Sequence, residues 1–182
     1  MGDLERLAAA ATDGDPLAAA ALVRATQSDV WRLCAALGDR QSADDLTQET
    51  YLRAFGALHR FEGRSSLRTW LLSIARRVCA DAIRSRRRRR LTLVREDADL
   101  EALSAGDGAD RVGEGAAVAD LLARLSTDRR EAFVLTQLLG LPYAEAAEVA
   151  GCPVGTIRSR VARARADLVE ALGEDDAASA RA

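Results

Sequence analysis

Apolar positions along the chain recur at three- and four-residue spacings, and no stretch of useful length alternates with the two-residue period of a strand. Residues 6–37 read as two helices broken near "TDGDP", where Pro16 opens the second. Leu17, Leu22, Val30, Trp31, Leu33 and Leu37 keep mostly helical spacing through that second helix, with a candidate bend at Thr26–Asp29. "GDRQSADD" reads as a turn with Ser42 and Asp44 as helix-cap candidates, followed by a helix from Asp44 to Leu58 that buries Tyr51, Phe55 and Leu58 on one face. After the loop "HRFEGRSS", a long helix is predicted from Leu67 to about Arg88, with Leu67, Trp70, Leu71, Ile74 and Val78 in register and a run of arginines at its end. The pattern fails between Thr92 and Ala117. It resumes in "VADLLARLSTDRREAFVLTQLLG", where Leu121, Leu122, Leu125, Phe133, Leu135, Leu138 and Leu139 can build a small core and Ser126 or Thr127 can cap a helix. The expected fold is all-α: a helical domain over residues 1–90, a linker over 91–117, a second helical domain over 118–173 and a disordered tail over 174–182.

The last periodic stretch carries the first chemical signal. "LPYAEAAEVAGCP" predicts a short Ala-rich helix stopped at Gly151, and "GCPVGTIRSRVARARADL" a second helix with Pro153 in its first turn. At about 100° per residue, Ile157, Val161, Ala164 and Leu168 share one apolar sector. The opposite sector holds Gly155, Thr156, Ser159, Ala162, Arg163 and Ala166, with Arg158 and Arg165 on one flank and Arg160 on the other. A small polar centre edged by positive charge suits a helix lying in the DNA major groove, where Ser159 and Arg163 reach base edges and the flanking arginines meet phosphates. An amphipathic surface helix with solvated arginines fits the same wheel. The short helix and Gly turn in front of it favour a helix-turn-helix, with Ala146 and Ala147 allowing close packing of the pair.

Charge is informative only once it is mapped. The net charge of −2 looks wrong for a nucleic-acid binder, yet the positives, all arginine apart from His59, concentrate at residues 84–95 and 158–165. Residues 91–117 hold seven acids against Arg95 and Arg111, a net of −5 in a Gly- and Ala-rich setting, which reads as a flexible acidic linker. That segment is long enough to fold back on Arg84–Arg90 or Arg158–Arg165. Cys34, Cys79 and Cys152 are isolated in sequence and lie in apolar surroundings, so buried reduced thiols are expected rather than disulfides or metal ligands. One histidine, no phosphate loop and no nucleophile motif point away from an enzyme and from any cofactor or metal. The N-terminus lacks a signal-peptide run, and no stretch is long enough to span a membrane, which leads to a cytoplasmic expectation.

"DLTQETYLRAF", followed by "FEGRSSLRTWLLSIARR" and then, past the linker, "PYAEAAEVAGCPVGTIRSRVARARADL", resembles the bacterial RNA polymerase sigma factors. The resemblance is narrower still to the short extracytoplasmic-function group, which keeps sigma regions 2 and 4. It covers about residues 17–90 and 118–172, with the motifs in order. It implies a region 2 helical bundle and a region 4 helix-turn-helix. The function implied is binding core polymerase and opening promoters at −35 and −10 elements.

Roles follow residue by residue from that resemblance. Asp45, Gln48, Glu49, Leu52 and Arg53 match the part of region 2 that docks on the clamp helices of the polymerase largest subunit. Arg60, Phe61, Arg64, Ser65, Arg68, Trp70, Arg76, Arg77 and Arg84 match the part that reads and melts the −10 element, with Trp70 also readable as core. Melting needs a pocket for an unstacked base and positive charge for the single strand. Thr156, Arg158, Ser159, Arg160, Ala162, Arg163 and Arg165 match the −35 reader. The implied partners are core RNA polymerase (its clamp helices, and its flap region for region 4), promoter DNA and a candidate anti-sigma protein. The linker matches the segment that threads toward the RNA exit path in this family, and it also reads as a plain tether. Two rivals stand beside this function: a dimeric helix-turn-helix regulator and a helical interaction module. Neither needs both halves of the chain.

Overall fold

The computed structural model describes residues 2–38, 40–96 and 114–179, and every regular element among them is helical. Helix α1 (Asp3–Thr12) is followed by α2 (Pro16–Leu37), α3 (Ala43–Ala57) with a 3₁₀ turn at Leu58–Arg60, and α4 (Leu67–Glu96). The second group is α5 (Glu114–Arg124), α6 (Thr127–Phe133) continued by a π turn at Val134–Leu138, α7 (Tyr143–Ala150) and α8 (Val154–Ser179). α2 opens at Pro16 as expected, and the Asp15 carboxylate just before it accepts from Leu17 N at 2.8 Å and Ala18 N at 3.3 Å. The Thr26–Asp29 stretch does not break α2. Thr26 turns its hydroxyl onto the Leu22 carbonyl at 2.8 Å and shares a 2.7 Å hydrogen bond with the Tyr51 hydroxyl, so its polar atom is satisfied inside the helix pair.

The apolar positions converge as the periodicity requires, with three exceptions, Leu17 at 77% exposure in the first turn of α2, Phe55 and Leu138. Helix α3 buries Leu46, Thr50, Tyr51 and Ala54, and Leu58 follows in the turn, while Phe55 sits at the margin with 36% of its surface exposed. The face is centred one position earlier than the Tyr51–Phe55–Leu58 reading. Leu138 is 44% exposed although Leu135, Leu139 and Leu141 are buried. The cause is the π turn, in which Leu139 N reaches back five residues to the Val134 carbonyl at 2.9 Å, slipping the register by one and turning Leu138 outward. Ser42 and Ser126 stand at helix starts but make no side-chain cap bond.

The long helices overrun the predicted boundaries. α4 continues to Glu96 and α5 begins at Glu114, so helix enters both ends of the stretch read as linker. Residues 97–113 lie outside the described residues, and with them the acidic fold-back. α8 likewise runs to Ser179, into the stretch read as a disordered tail, because "ALGEDDAAS" is mostly Ala, Leu and acids that a helix accepts at little cost. Along α4, Leu67, Leu71, Leu72, Ala75, Val78 and Cys79 are buried, whereas Arg86–Arg89 are exposed.

The two helical groups are not separated. α4 packs against α7 and α2 against α6, and the buried apolar residues form one continuous cluster from Leu22 through Leu72 to Leu135 and Val161. Region boundaries are crossed by a shared core.

Candidate nucleic-acid interface

The C-terminal reader is built as the wheel predicts. Gly151 ends α7 in the left-handed conformation at φ 64°, where an L side chain is strained, and the chain turns into α8, which packs against α7, whose Ala146 is fully buried. Pro153 precedes α8, its carbonyl accepting from Thr156 N at 2.9 Å. Ile157, Val161 and Ala164 are buried, which leaves Arg158, Ser159, Ala162, Arg163 and Arg165 exposed and Thr156 and Arg160 half-buried. The arginines then divide. Arg160 is held by Asp128 of α6 and approaches Cys152 Sγ at 3.6 Å, and Arg165 donates to Gln137 Oε1 at 2.7 Å. Arg158 and Arg163 bind no other described side chain. Arg129 ties α6 to α8 through Asp167 at 2.6 Å, which fixes the helix that carries them.

The loop between α3 and α4 holds the second set. Phe61 packs on Trp70 with ring centroids 5.3 Å apart and tilted by 54°, so Trp70 is half-buried rather than presented as a free stacking platform. Beneath that loop lies a cavity of about 370 Å³ lined by Glu5, Ala8, Thr12, Leu58, Phe61 and Glu62. The N-terminal helix therefore supplies one wall of it, which the sequence reading did not assign. Glu5 also accepts from Leu67 N at 3.3 Å, at the start of α4, where a negative charge meets the positive end of the helix. Ser65 is half-buried, Arg64 pairs with Glu62 at 2.5 Å on the surface, Arg60 donates to His59 at 3.2 Å, and Arg77 is exposed.

Two arginines of this set are engaged elsewhere. Arg68 donates to Asp29 at 2.7 Å and, through Nη2, to the Leu139 carbonyl at 2.6 Å. Arg76 pairs with the buried Glu131. Both contacts cross from the first helical group to the second. Thr69 and Ser66 donate to Glu145 of α7, the Ser66 bond at 3.2 Å, and Arg130 donates to the Ala36 carbonyl at 3.2 Å. Burial holds the Glu131 carboxyl above its ordinary value, which Arg76 only partly counteracts, and burial lowers Arg130. Sequence reasoning missed Glu131, Glu145, Ser66, Thr69 and Arg130 as crossing residues. The one available signal was the pair Glu145 and Glu148 in the otherwise apolar α7, whereas Glu131 sits in the charged stretch "TDRREAF" and left none.

On α3, Asp45, Gln48, Leu52 and Arg53 are exposed, and Glu49 is half-exposed. Arg53 bridges Glu49 and Asp81, both at 2.7 Å, so the face is locked to α4. These bonds raise the Arg53 guanidinium and lower Asp81, which Arg84 also touches. A cavity of about 440 Å³ opens beside this face, lined by Val23, Gln27, Trp31, Asp44, Thr47 and Gln48.

Comparison with known proteins then decides the family. Residues 22–89 match the model of Sigma-70 region 2, and residues 115–168 match that of Sigma-70, region 4. The probable RNA polymerase sigma-C factor of Mycobacterium bovis is 56% identical over 171 residues, covering 93% of this chain and 91% of the relative. The chain belongs to the extracytoplasmic-function group of the sigma-70 family. The ECF RNA polymerase sigma factor SigC of Mycobacterium tuberculosis matches to the same extent. Among solved structures, CnrH in complex with the cytosolic domain of CnrY aligns with a TM-score of 0.71 at 32% identity over 95% of this sigma factor and 99% of that chain. RpoE in complex with the anti-sigma factor NepR from Bartonella quintana aligns at 0.65 and 30% identity over 83% and 94%. Within this sigma factor, α1 precedes the region 2 match, and the bonds from Arg68, Arg76 and Glu145 join region 2 to region 4. Its role is in transcription initiation.

Proposed function

We propose that this sigma factor docks on core RNA polymerase through the α3 face of Asp45, Gln48, Glu49, Leu52 and Arg53. Its α8 reads a −35 element, with Ser159, Ala162 and Arg163 toward base edges and Arg158, Arg160 and Arg165 toward phosphates. The loop Arg60–Ser66 and the start of α4 act on the −10 element, the cavity under Phe61 taking an unstacked base and Arg64, Arg68, Arg77 and Arg84 meeting the single strand. Arg68 and Arg76 bond across the region boundary in the free chain, so region 4 must move off region 2 before both can act. The protein contributes specificity and strand opening, with no catalytic step of its own, and it works in the cytoplasm beside its polymerase. An anti-sigma protein is a further partner on this reading. No described helix is long and apolar enough to cross a membrane.

The observation that carries the reading is the outer face of α8: Arg158 and Arg163 exposed without a side-chain partner among the described residues, around the small Ser159 and Ala162, on a helix anchored by Ile157 and Val161. In vitro transcription with core polymerase, with and without the chain, tests it. Promoter-specific transcripts that appear only with the chain support it. A chain that binds duplex promoter DNA alone as a dimer, yet leaves core polymerase inactive at that promoter, would sink it.

A further inference from the structure

Helix α1 precedes the residues matched as region 2, which begin at 22, yet it packs on α2, α4 and the 3₁₀ turn and walls the cavity beneath Phe61. Ala8 of α1, with Leu58 and Phe61, gives that cavity apolar lining, and its polar side chains are Glu5, Thr12 and Glu62. None of the three brings a free donor. Thr12 donates its hydroxyl proton to the Ala8 carbonyl at 2.9 Å, and the two glutamates, as carboxylates, only accept. Acidic groups facing a polyanion weaken its binding unless N–H donors meet them. On the reading that this cavity takes an unstacked base, we propose that Glu5 and Glu62 read that base. They accept from an exocyclic amino group, so the cavity selects cytosine or adenine and rejects thymine.

Each carboxylate is fixed through one oxygen. Glu5 Oε1 accepts from Leu67 N at 3.3 Å, at the start of α4, and Glu62 Oε2 pairs with Arg64 at 2.5 Å. Neither second oxygen has a hydrogen bond or ion pair among the described residues. Gly63 follows Glu62 at φ 69°, a left-handed turn that would strain an L side chain and that sets where Glu62 stands against the cavity. Capping a helix and pairing a surface arginine need one oxygen each. Those duties do not call for both acids to line one cavity.

The acceptors distinguish bases by what stands at the ring edge. Cytosine N4 and adenine N6 each carry two hydrogens there, and an accepting glutamate suits cytosine N4. Thymine puts a carbonyl oxygen at the equivalent position, and its remaining edge donor, N3–H, lies between two carbonyls. Thymine O4 against these carboxylates leaves acceptors facing acceptors, and an unmet acceptor out of water is costly. The apolar walls cannot make the distinction, since thymine and 5-methylcytosine have nearly the same shape. At about 370 Å³ the cavity lies within the ~300–1,000 Å³ of small-molecule sites, with room for one base.

The test uses the holoenzyme, formed from the full chain and core polymerase, and fork-junction DNA from a promoter it transcribes. An abasic scan of the single-stranded −10 segment finds the positions whose base contributes to binding. Ala9→Trp and Thr12→Trp fill the cavity from exposed positions of α1, and the captured base is the one whose abasic penalty they abolish. At that position 5-methylcytosine is compared with thymine, and adenine with hypoxanthine, pairs that exchange an amino group for a carbonyl. The amino member is expected to bind roughly tenfold tighter in each pair. Glu5→Gln lowers that ratio, and adding Glu62→Gln brings it to about one, because a glutamine amide turns its N–H to a carbonyl as readily as its oxygen to an amino group. The amide oxygen still accepts from Leu67 N, and circular dichroism checks that each variant folds. A ratio near one in the wild type, or one that survives undiminished in the double variant, would overturn the proposal while leaving base capture in place. A scan with no position sensitive to the cavity-filling variants would remove base capture itself, and the proposal with it.

Discussion

Replacing Glu145 by alanine removes the carboxylate that Thr69 of α4 and Ser66 just before it reach across the region boundary. The Thr69 and Ser66 hydroxyl oxygens lie 2.8 Å apart, so one can donate to the other once the carboxylate is gone, and the loss is confined to the bonds to a charged acceptor. Such bonds contribute about 1.5–3 kcal/mol each, and the half-buried setting of Glu145 argues for the lower end in total. About 1.5 kcal/mol shifts the closed-to-open equilibrium of the two regions roughly tenfold toward open. The assay is binding of the free chain to a single-stranded −10 oligonucleotide. If region 4 covers the start of α4 in the free chain, apparent affinity is the intrinsic affinity multiplied by the open fraction, and Glu145→Ala raises it about tenfold. Holoenzyme affinity for the same oligonucleotide stays unchanged, because polymerase has already separated the regions. Equal affinity of the free wild type and the free variant, with matching circular dichroism, would refute the idea that this contact gates the −10 face.

Arg163→Ala is expected to relax discrimination at one −35 position by roughly 1–3 kcal/mol, while Arg158→Ala weakens binding evenly across −35 variants; a uniform loss in Arg163→Ala would remove it as a base reader. Charge reversal at Glu49, or a bulky residue at Gln48, is expected to weaken capture of core polymerase in a pull-down with circular dichroism unchanged, since these side chains lie outside the buried face of α3. Glu131 titrates above its ordinary value of 4.5 in the folded chain. Its contribution to stability is therefore fully present below that value and lost as pH rises through the raised one. Urea unfolding of Glu131→Gln followed against pH is expected to lack this decline; an identical pH profile in wild type and variant removes Glu131 as its source.

Elements with strong local signals were legible. The apolar register of α4, the Pro16 start of α2 and the Gly151 turn all follow from side-chain period or backbone constraints that neighbouring residues alone determine. Phe55 and Leu138 were misread because their exposure depends on where a helix face points and on a π slip, and neither leaves a mark in hydrophobic spacing. The α8 wheel gave the exposed Ser159, Ala162 and Arg163 correctly. What it could not give is which arginines are held: Arg160 and Arg165 find Asp128 and Gln137, at sequence separations of 32 and 28. Arg68 and Arg76 read as cations for DNA, yet their partners in the free chain lie 71 and 55 residues away, on helices whose docking no local pattern encodes. Of the cysteines expected to be buried, Cys34 and Cys79 are, and Cys152 is only half-buried.

The length of α4 carries one more consequence. Its 30 residues would extend about 45 Å, and only the part up to Cys79 is tightly packed. Beyond it Arg86–Arg89 are exposed and follow one another at steps of about 100°, so four consecutive cations wrap most of the helix's circumference. A one-sided arginine stripe would demand a particular roll angle before it met a phosphate backbone. This end of α4 is instead a positive post with almost no blind side. On the proposed function it would meet a nucleic-acid strand from nearly any azimuth, which suits a strand whose path changes as a duplex comes apart.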